Sequence, residues 1–365
     1  MPAQTTRLVI RPTLIVLTSM LGVYTFAAYK TNQNTDSYLS RYPLNTNTGY
    51  WIISNAYEAR QSYEFDKITQ RRQQWMRKMD NVFPPAIACR IVTIYTDAAD
   101  YWKDIQDTDR ALATIGILAT AIIASRLFPR SFPRVLRSLF HHPFSGRSVT
   151  LLTSAFNHLS SSHLVGNLSG LWFAGVGYQW LSQDCPPVNL SIEEANSCYH
   201  LLAFTFASGS FSMLCNHLYE VALYRSRVRL FGPTSLATLT FKTGWQVTPT
   251  CGISGVIYAV VAVALLGFGD DKARLPLGQE IPAWMLSIPL LLFETAGLLA
   301  KRPFLSMKHV AHIAGFVFGA LYVQCGMGTW ETARVAVARA TGRAMPVKVI
   351  YPRSSFDSIQ DTQTH

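Results

Sequence analysis

Three short blocks of this 365-residue sequence pair chemically capable residue types with spacings that could bring them together. In the first, Cys251, Gly252, Ile253, Ser254 and Gly255 lead into an apolar run, so Ser254 stands between two glycines where that run begins. A serine hydroxyl is a weak nucleophile until a base takes its proton, and the glycines leave it unshielded. In the second, His312 lies at the edge of a stripe formed by Ala311, Gly315 and Gly319 at i, i+4 and i+8. Small residues at that spacing let a second helix approach closely, and a partner carrying Ser254 would meet an imidazole base. The third gathers Asn157, His158, Ser160, Ser161, Ser162, His163, Asn167 and Ser169 ahead of another apolar run. His163 and Asn167 are four apart and share a helix face. Each block alone also has a structural explanation: glycine and serine are common packing residues between membrane helices, and 151–163 could be a surface loop with the helix starting at Leu164. Cys251 is a rival nucleophile or a small packing residue.

The elements that must position these residues follow from composition. Hydrophobic residues make up 49% of the chain and charged ones 15%, where soluble domains carry roughly a quarter charged. The apolar residues fall into seven spans, about 13–29 (span A), 111–128, 151–181, 200–223, 250–268, 282–300 and 309–327 (spans 1 to 6). Runs of this length cross a bilayer as helices, so the fold class is an all-α polytopic membrane protein. Span A is read as a retained anchor, being apolar all round, with a cleaved mitochondrial presequence as the alternative; no acid precedes Asp36. The organisation expected is an N-terminal targeting or anchoring segment over 1–30, a polar juxtamembrane segment of helices over 31–110, a core over 111–327 and a polar tail over 328–365. Six cysteines are too few for a disulfide framework, and the sequence does not settle whether Cys185 and Cys198 pair. The 32 basic residues are dispersed between apolar runs, which points to membrane topology and away from nucleic acid.

No aspartate lies within an apolar run, so the sequence predicts a Ser/His dyad whose imidazole is oriented by ring packing in place of a carboxylate. Gly267, Phe268, Gly269 and Asp270 spell an aspartyl-protease motif, but no second carboxylate stands at depth to share a proton. A transporter is a weaker reading, because Glu294 is the one intramembrane acid in prospect and no inverted repeat is visible.

Taken together, the blocks resemble the rhomboid family of intramembrane serine proteases. The resemblance rests on His163-x-x-x-Asn167 with His158 before it, on Gly252-x-Ser254-Gly255, and on Ala311-His312-x-x-Gly315-x-x-x-Gly319. It covers about residues 111–327 and implies a six-helix rhomboid core. The Trp-Arg pair found in many rhomboids between the first two core helices is absent. Span A ahead of the core is similar to the one-plus-six arrangement of mitochondrial inner-membrane rhomboids.

The resemblance implies cleavage of single-span membrane proteins within the bilayer, with no cofactor or metal. Ser254 and His312 would be catalytic, and the Ser254 N–H with the side chains of His163 and Asn167 would hold the oxyanion. His158, Gly252, Gly255, Gly315 and Gly319 would support the site. The alternative is an inactive rhomboid-like protein that binds membrane helices and assists their turnover. The compartment expected is the mitochondrial inner membrane, with Golgi or endoplasmic reticulum as the alternative. Fourteen basic residues, among them Arg7, Arg11, Arg147 and Lys308, lie on the face shared by the N-terminus and the loops after spans 1, 3 and 5. The positive-inside rule assigns that face to the matrix.

Overall fold

Backbone groups in lipid must be satisfied within their own segment, so apolar runs of this length become helices. The computed structural model describes residues 6–43, 55–125, 139–182, 193–232, 238, 247–274, 278–300 and 308–343. Its helices are α1 (Arg11–Arg41), α2 (Ala56–Asp80), α3 (Pro85–Asp104), α4 (Asp107–Ala124), α5 (Thr150–Thr153), α6 (Ser161–Phe173), α7 (Val176–Leu181), α8 (Cys198–Phe231), α9 (Ser254–Gly267), α10 (Ser287–Leu299), α11 (His309–Leu321) and α12 (Met327–Ala340). A small antiparallel hairpin, β1 (Lys272–Arg274) with β2 (Glu280–Pro282), connects α9 to α10 and sets Ala273 opposite Ile281. The protein is an all-α polytopic membrane protein. The segments Arg7–Arg41, Cys198–Phe231 and His309–Ala340 are each long and apolar enough to cross a bilayer, and α9 and α10 are shorter apolar helices.

The middle of the molecule is α8. It buries Phe204, Ala207, Gly209 and Met213 among its neighbours, and Gly209 admits both Ala155 and Val256 to within 3.1 Å of where its Cβ would stand. Residues turned outward are large and apolar, such as Leu21 on α1, Phe173 on α6 and Leu299 on α10. In water such a surface would aggregate, whereas lipid tails solvate it.

Three spans differ from the sequence expectation. The N-terminal span continues as helix to Arg41, twelve residues past the expected 29. The span expected over 151–181 is broken. After α5 and a tight turn, Ser154–Phe156, the backbone extends at Asn157, whose side chain donates to the Leu139 carbonyl at 2.7 Å. Ser160 then caps α6 by accepting from the His163 N–H at 3.1 Å. Serine and asparagine compete with the helix ladder for backbone groups, which is why this polar stretch ends one helix and starts the next. Residues 154–158 are buried, so this part of the stretch is not a surface loop, whereas residues 159–162 are exposed. The last span does not stop at 327. It passes through a wider turn, Tyr322–Gly326, into α12. What reads as the start of a polar tail is a helix packed on α1, with Arg334 1% exposed. Arg334 donates to Asn32 Oδ1 at 2.9 Å and to the Glu193 carbonyl at 2.7 Å, and lies 3.4 Å from Glu194 Oε2. Residues 344–365, Cys185 and the loop over 126–138 lie outside the described residues.

The polar contacts sort into two ends. At one, the Leu8 carbonyl meets His217 Nε2 at 2.7 Å, His141 bridges Thr250, and Lys308 lies 3.5 Å from Glu220. At the other, Arg60 on α2 binds Asp107 at the start of α4 at 2.8 Å and also the Ala195 carbonyl. Arg343 pairs there with Asp36 at 2.9 Å.

Candidate active site

Ser254 is the first residue of α9, and the strand leading to it is fixed from both sides. Thr250 exchanges backbone hydrogen bonds with His141 at 2.8 and 3.1 Å, and the Gly252 N–H donates to the Ser154 carbonyl at 3.0 Å. Gly252 has φ +124°, a conformation that side chains disfavour. A Cβ there would stand 3.2 Å from the His163 ring and 3.6 Å from Asn167 Nδ2. The two polar side chains of α6 therefore converge on the turn two residues ahead of Ser254. The amide nitrogen of Asn167 is buried and has no hydrogen-bond partner among the described residues. A buried donor left open costs free energy, and this one stands beside the turn that leads into Ser254. His158, fully buried, sets its ring edge-on to His163 with centroids 5.1 Å apart.

The helix carrying Ser254 meets α11 backbone to backbone. A Cβ on Gly315 would overlap the Gly255 carbonyl, one on Gly319 the Ala259 carbonyl, and one on Gly255 would come within 2.6 Å of Ser212. At this separation His312 Nε2 lies 2.9 Å from Ser254 Oγ. Tyr258, one turn beyond Ser254, stacks on the His312 ring at 4.4 Å and 6°, which is the ring packing expected.

The sequence reading missed a carboxylate. Glu294 on α10 is 0% exposed, and its Oε1 lies 3.1 Å from His312 Nδ1, a close charge contact outside ideal hydrogen-bond alignment. Oε1 also accepts the Tyr258 hydroxyl, and Oε2 lies 2.7 Å from His309 Nδ1. Gly297 makes room for His309, since a Cβ there would overlap that imidazole. The expectation that ring packing replaces a carboxylate is thus corrected: both are present. Excluding aspartate from apolar runs did not exclude Glu294, and a lone acid in an apolar helix was the signal that pointed to it. Nothing in the sequence singled out Tyr258 or His309. Glu294, His309 and His312 place their ligand atoms within 4.8 Å of one another; His309 Nδ1 and Glu294 Oε2 are hydrogen-bonded at 2.7 Å, and His312 Nδ1 is a 3.1 Å neighbour of Oε1.

Ser254, His312, His163, Asn167, His158, Gly252, Gly255, Gly315 and Gly319 thus form one site. Asp270 is not part of it, being exposed beyond the far end of α9.

A nucleophile-type serine and an imidazole facing each other across two glycine-packed membrane helices define a class, and residues 145–328, half of the chain, match the Rhomboid domain. The chain belongs to the rhomboid family, whose members are generally intramembrane serine proteases. Among curated proteins it is similar to "Presenilin-associated rhomboid-like protein A, mitochondrial" of Danio rerio, with 22% identity over 241 residues. That alignment takes in 65% of this chain and 53% of the relative, so the chain spans about half the length of the protein it matches.

Proposed function

We propose that this protein is an intramembrane serine protease that cleaves single-span membrane proteins in or near their transmembrane helix. The observation that carries the reading is the 2.9 Å approach of His312 Nε2 to Ser254 Oγ. His312 takes the hydroxyl proton as Oγ attacks the scissile carbonyl. The imidazolium then gives that proton to the leaving amine, and water hydrolyses the acyl enzyme. The Ser254 N–H with the side chains of His163 and Asn167 stabilises the tetrahedral oxyanion. The exposed serines at the start of α6, Ser161 and Ser162, with half-buried His163 behind them, admit the water.

The relative's printed name supports a mitochondrial membrane, and the inner membrane suits the helix that precedes the matched domain. With the basic face in the matrix, Ser254 and His312 both lie toward the matrix side.

The test is purified protein in liposomes with a single-span substrate. Ser254→Ala and His312→Ala should each abolish cleavage while leaving insertion and thermal midpoint intact. Substantial turnover by Ser254→Ala would remove the serine mechanism.

A further inference from the structure

Glu294 sits where a carboxylate is costly. It is wholly buried in a 13-residue apolar helix, and an ion withdrawn from water loses several kcal/mol unless it is paired and hydrogen-bonded. Among the described ion pairs, the other buried acids face arginine or lysine, as Glu194 faces Arg334 and Glu220 faces Lys308. Glu294 faces two imidazoles and a phenol. Both of its oxygens are engaged, Oε2 by His309 and Oε1 by Tyr258 and His312, so the carboxylate cannot turn away.

We propose that Glu294 completes a Ser254–His312–Glu294 relay as the residue that positions the base, resting on the serine-protease reading above. A carboxylate beside Nδ1 keeps the imidazole proton on that nitrogen. Nε2 then carries the lone pair and faces the Ser254 hydroxyl, the tautomer a general base requires. When Nε2 takes the serine proton, the ring becomes cationic 3.1 Å from an anion that is already in place. The proton stays on the imidazole until the leaving amine receives it, and Glu294 remains ionised throughout. Tyr258 serves both partners, stacking on the ring and donating to the carboxylate. The 3.1 Å contact is loosely aligned, as catalytic hydrogen bonds often are before substrate binds.

The rival explanation is a brace: Glu294 and His309 would only tie α10 to α11. The two differ in what an isosteric change does. Glu294→Gln keeps the volume and can still accept from Tyr258, but its amide can donate to Nδ1 and leave the proton on Nε2, the wrong nitrogen. The equivalent change in a soluble serine triad costs about 10⁴ in turnover. We expect a fall in kcat of about 10² to 10⁴ with KM within about twofold. Glu294→Asp, which restores a carboxylate, should recover turnover to within about tenfold of wild type. His309→Gln should lose far less than Glu294→Gln.

The experiment measures kcat, KM and thermal midpoint for wild type, Glu294→Gln, Glu294→Asp, His309→Gln and Ser254→Ala in the same liposomes. Wild-type turnover in Glu294→Gln overturns the relay, and so does an equal loss in Glu294→Gln and His309→Gln that tracks their thermal midpoints. If Ser254→Ala stays dead in either case, the protease reading stands and only the role of Glu294 falls. Turnover by Ser254→Ala removes both.

Discussion

The buried Asn167 amide nitrogen, open among the described residues and aimed at the turn before Ser254, sets an expectation at the scale of single residues. A donor that finds its acceptor only as negative charge develops contributes to the barrier and not to substrate affinity. Asn167→Ala should therefore lower kcat by about 10² to 10³ and leave KM nearly unchanged, read from steady-state cleavage in liposomes. A matching rise in KM would assign Asn167 to substrate binding instead. Much of this site was legible in the sequence, because Ser254, His312, His163 and Asn167 are polar residues in apolar surroundings, where an unexplained polar group stands out. Glu294 stood out for the same reason, but nothing in the sequence named its partners. Tyr258 and His309 gave no signal, since an aromatic residue in an apolar helix and a histidine at a helix start are ordinary. The break at Asn157 was hidden because serines that cap a helix and serines that line a cavity look alike without the backbone.

At the scale of elements, the distance between Ser254 and His312 is set by the absence of side chains. The α9–α11 contact is made by Gly255 against Gly315 and by Ala259 against Gly319. A methyl at Gly315 must push the helices apart, and overpacking of this kind costs about 1–3 kcal/mol. Gly315→Ala should lower the thermal midpoint in detergent and, by opening the Ser254–His312 approach, cut turnover more than the stability loss explains. Gly166→Ala is the matched control. A Cβ there meets nothing within 4 Å, and exchanging a helical glycine for alanine gains up to about 1 kcal/mol, so stability should hold or rise with activity unchanged. An unperturbed Gly315→Ala would mean that the helix spacing is set elsewhere.

Across the whole molecule, the N-terminal helix is built into the core. It is held at one end by the Leu8 carbonyl on His217 and at the other by Asn32 on Arg334. Replacing Arg334 by methionine leaves Glu194 buried without its cation, and breaking such a pair costs about 3–5 kcal/mol. The expected readout is a lowered midpoint, together with faster proteolysis of the segment between α1 and α2. The sorting of polar contacts to two ends also makes the proposed orientation testable by protease protection on mitoplasts. A tag after Arg343 should be cut when only the outer membrane is open, whereas a tag between α8 and α9 should survive until the inner membrane is breached. A tag in that loop cut in intact mitoplasts would reverse the orientation.

The run from α11 into α12 has a mechanical side. From His312 to Arg334 the chain rises about 33 Å at 1.5 Å per residue, roughly the thickness of the hydrocarbon core. One strut therefore carries His312 near one face of the bilayer and an ionic anchor near the other. Its upper end is pinned by Asn32, Glu193 and Glu194, and its lower end is pressed against the α9 backbone at Gly315 and Gly319. The joint between them is the wider turn at Tyr322–Gly326, where the regular ladder is interrupted. The wider turn changes the register of side chains between the two halves, so that Gly315 and Gly319 face α9 while Arg334, on the same continuous strut, faces Asn32 and Glu194.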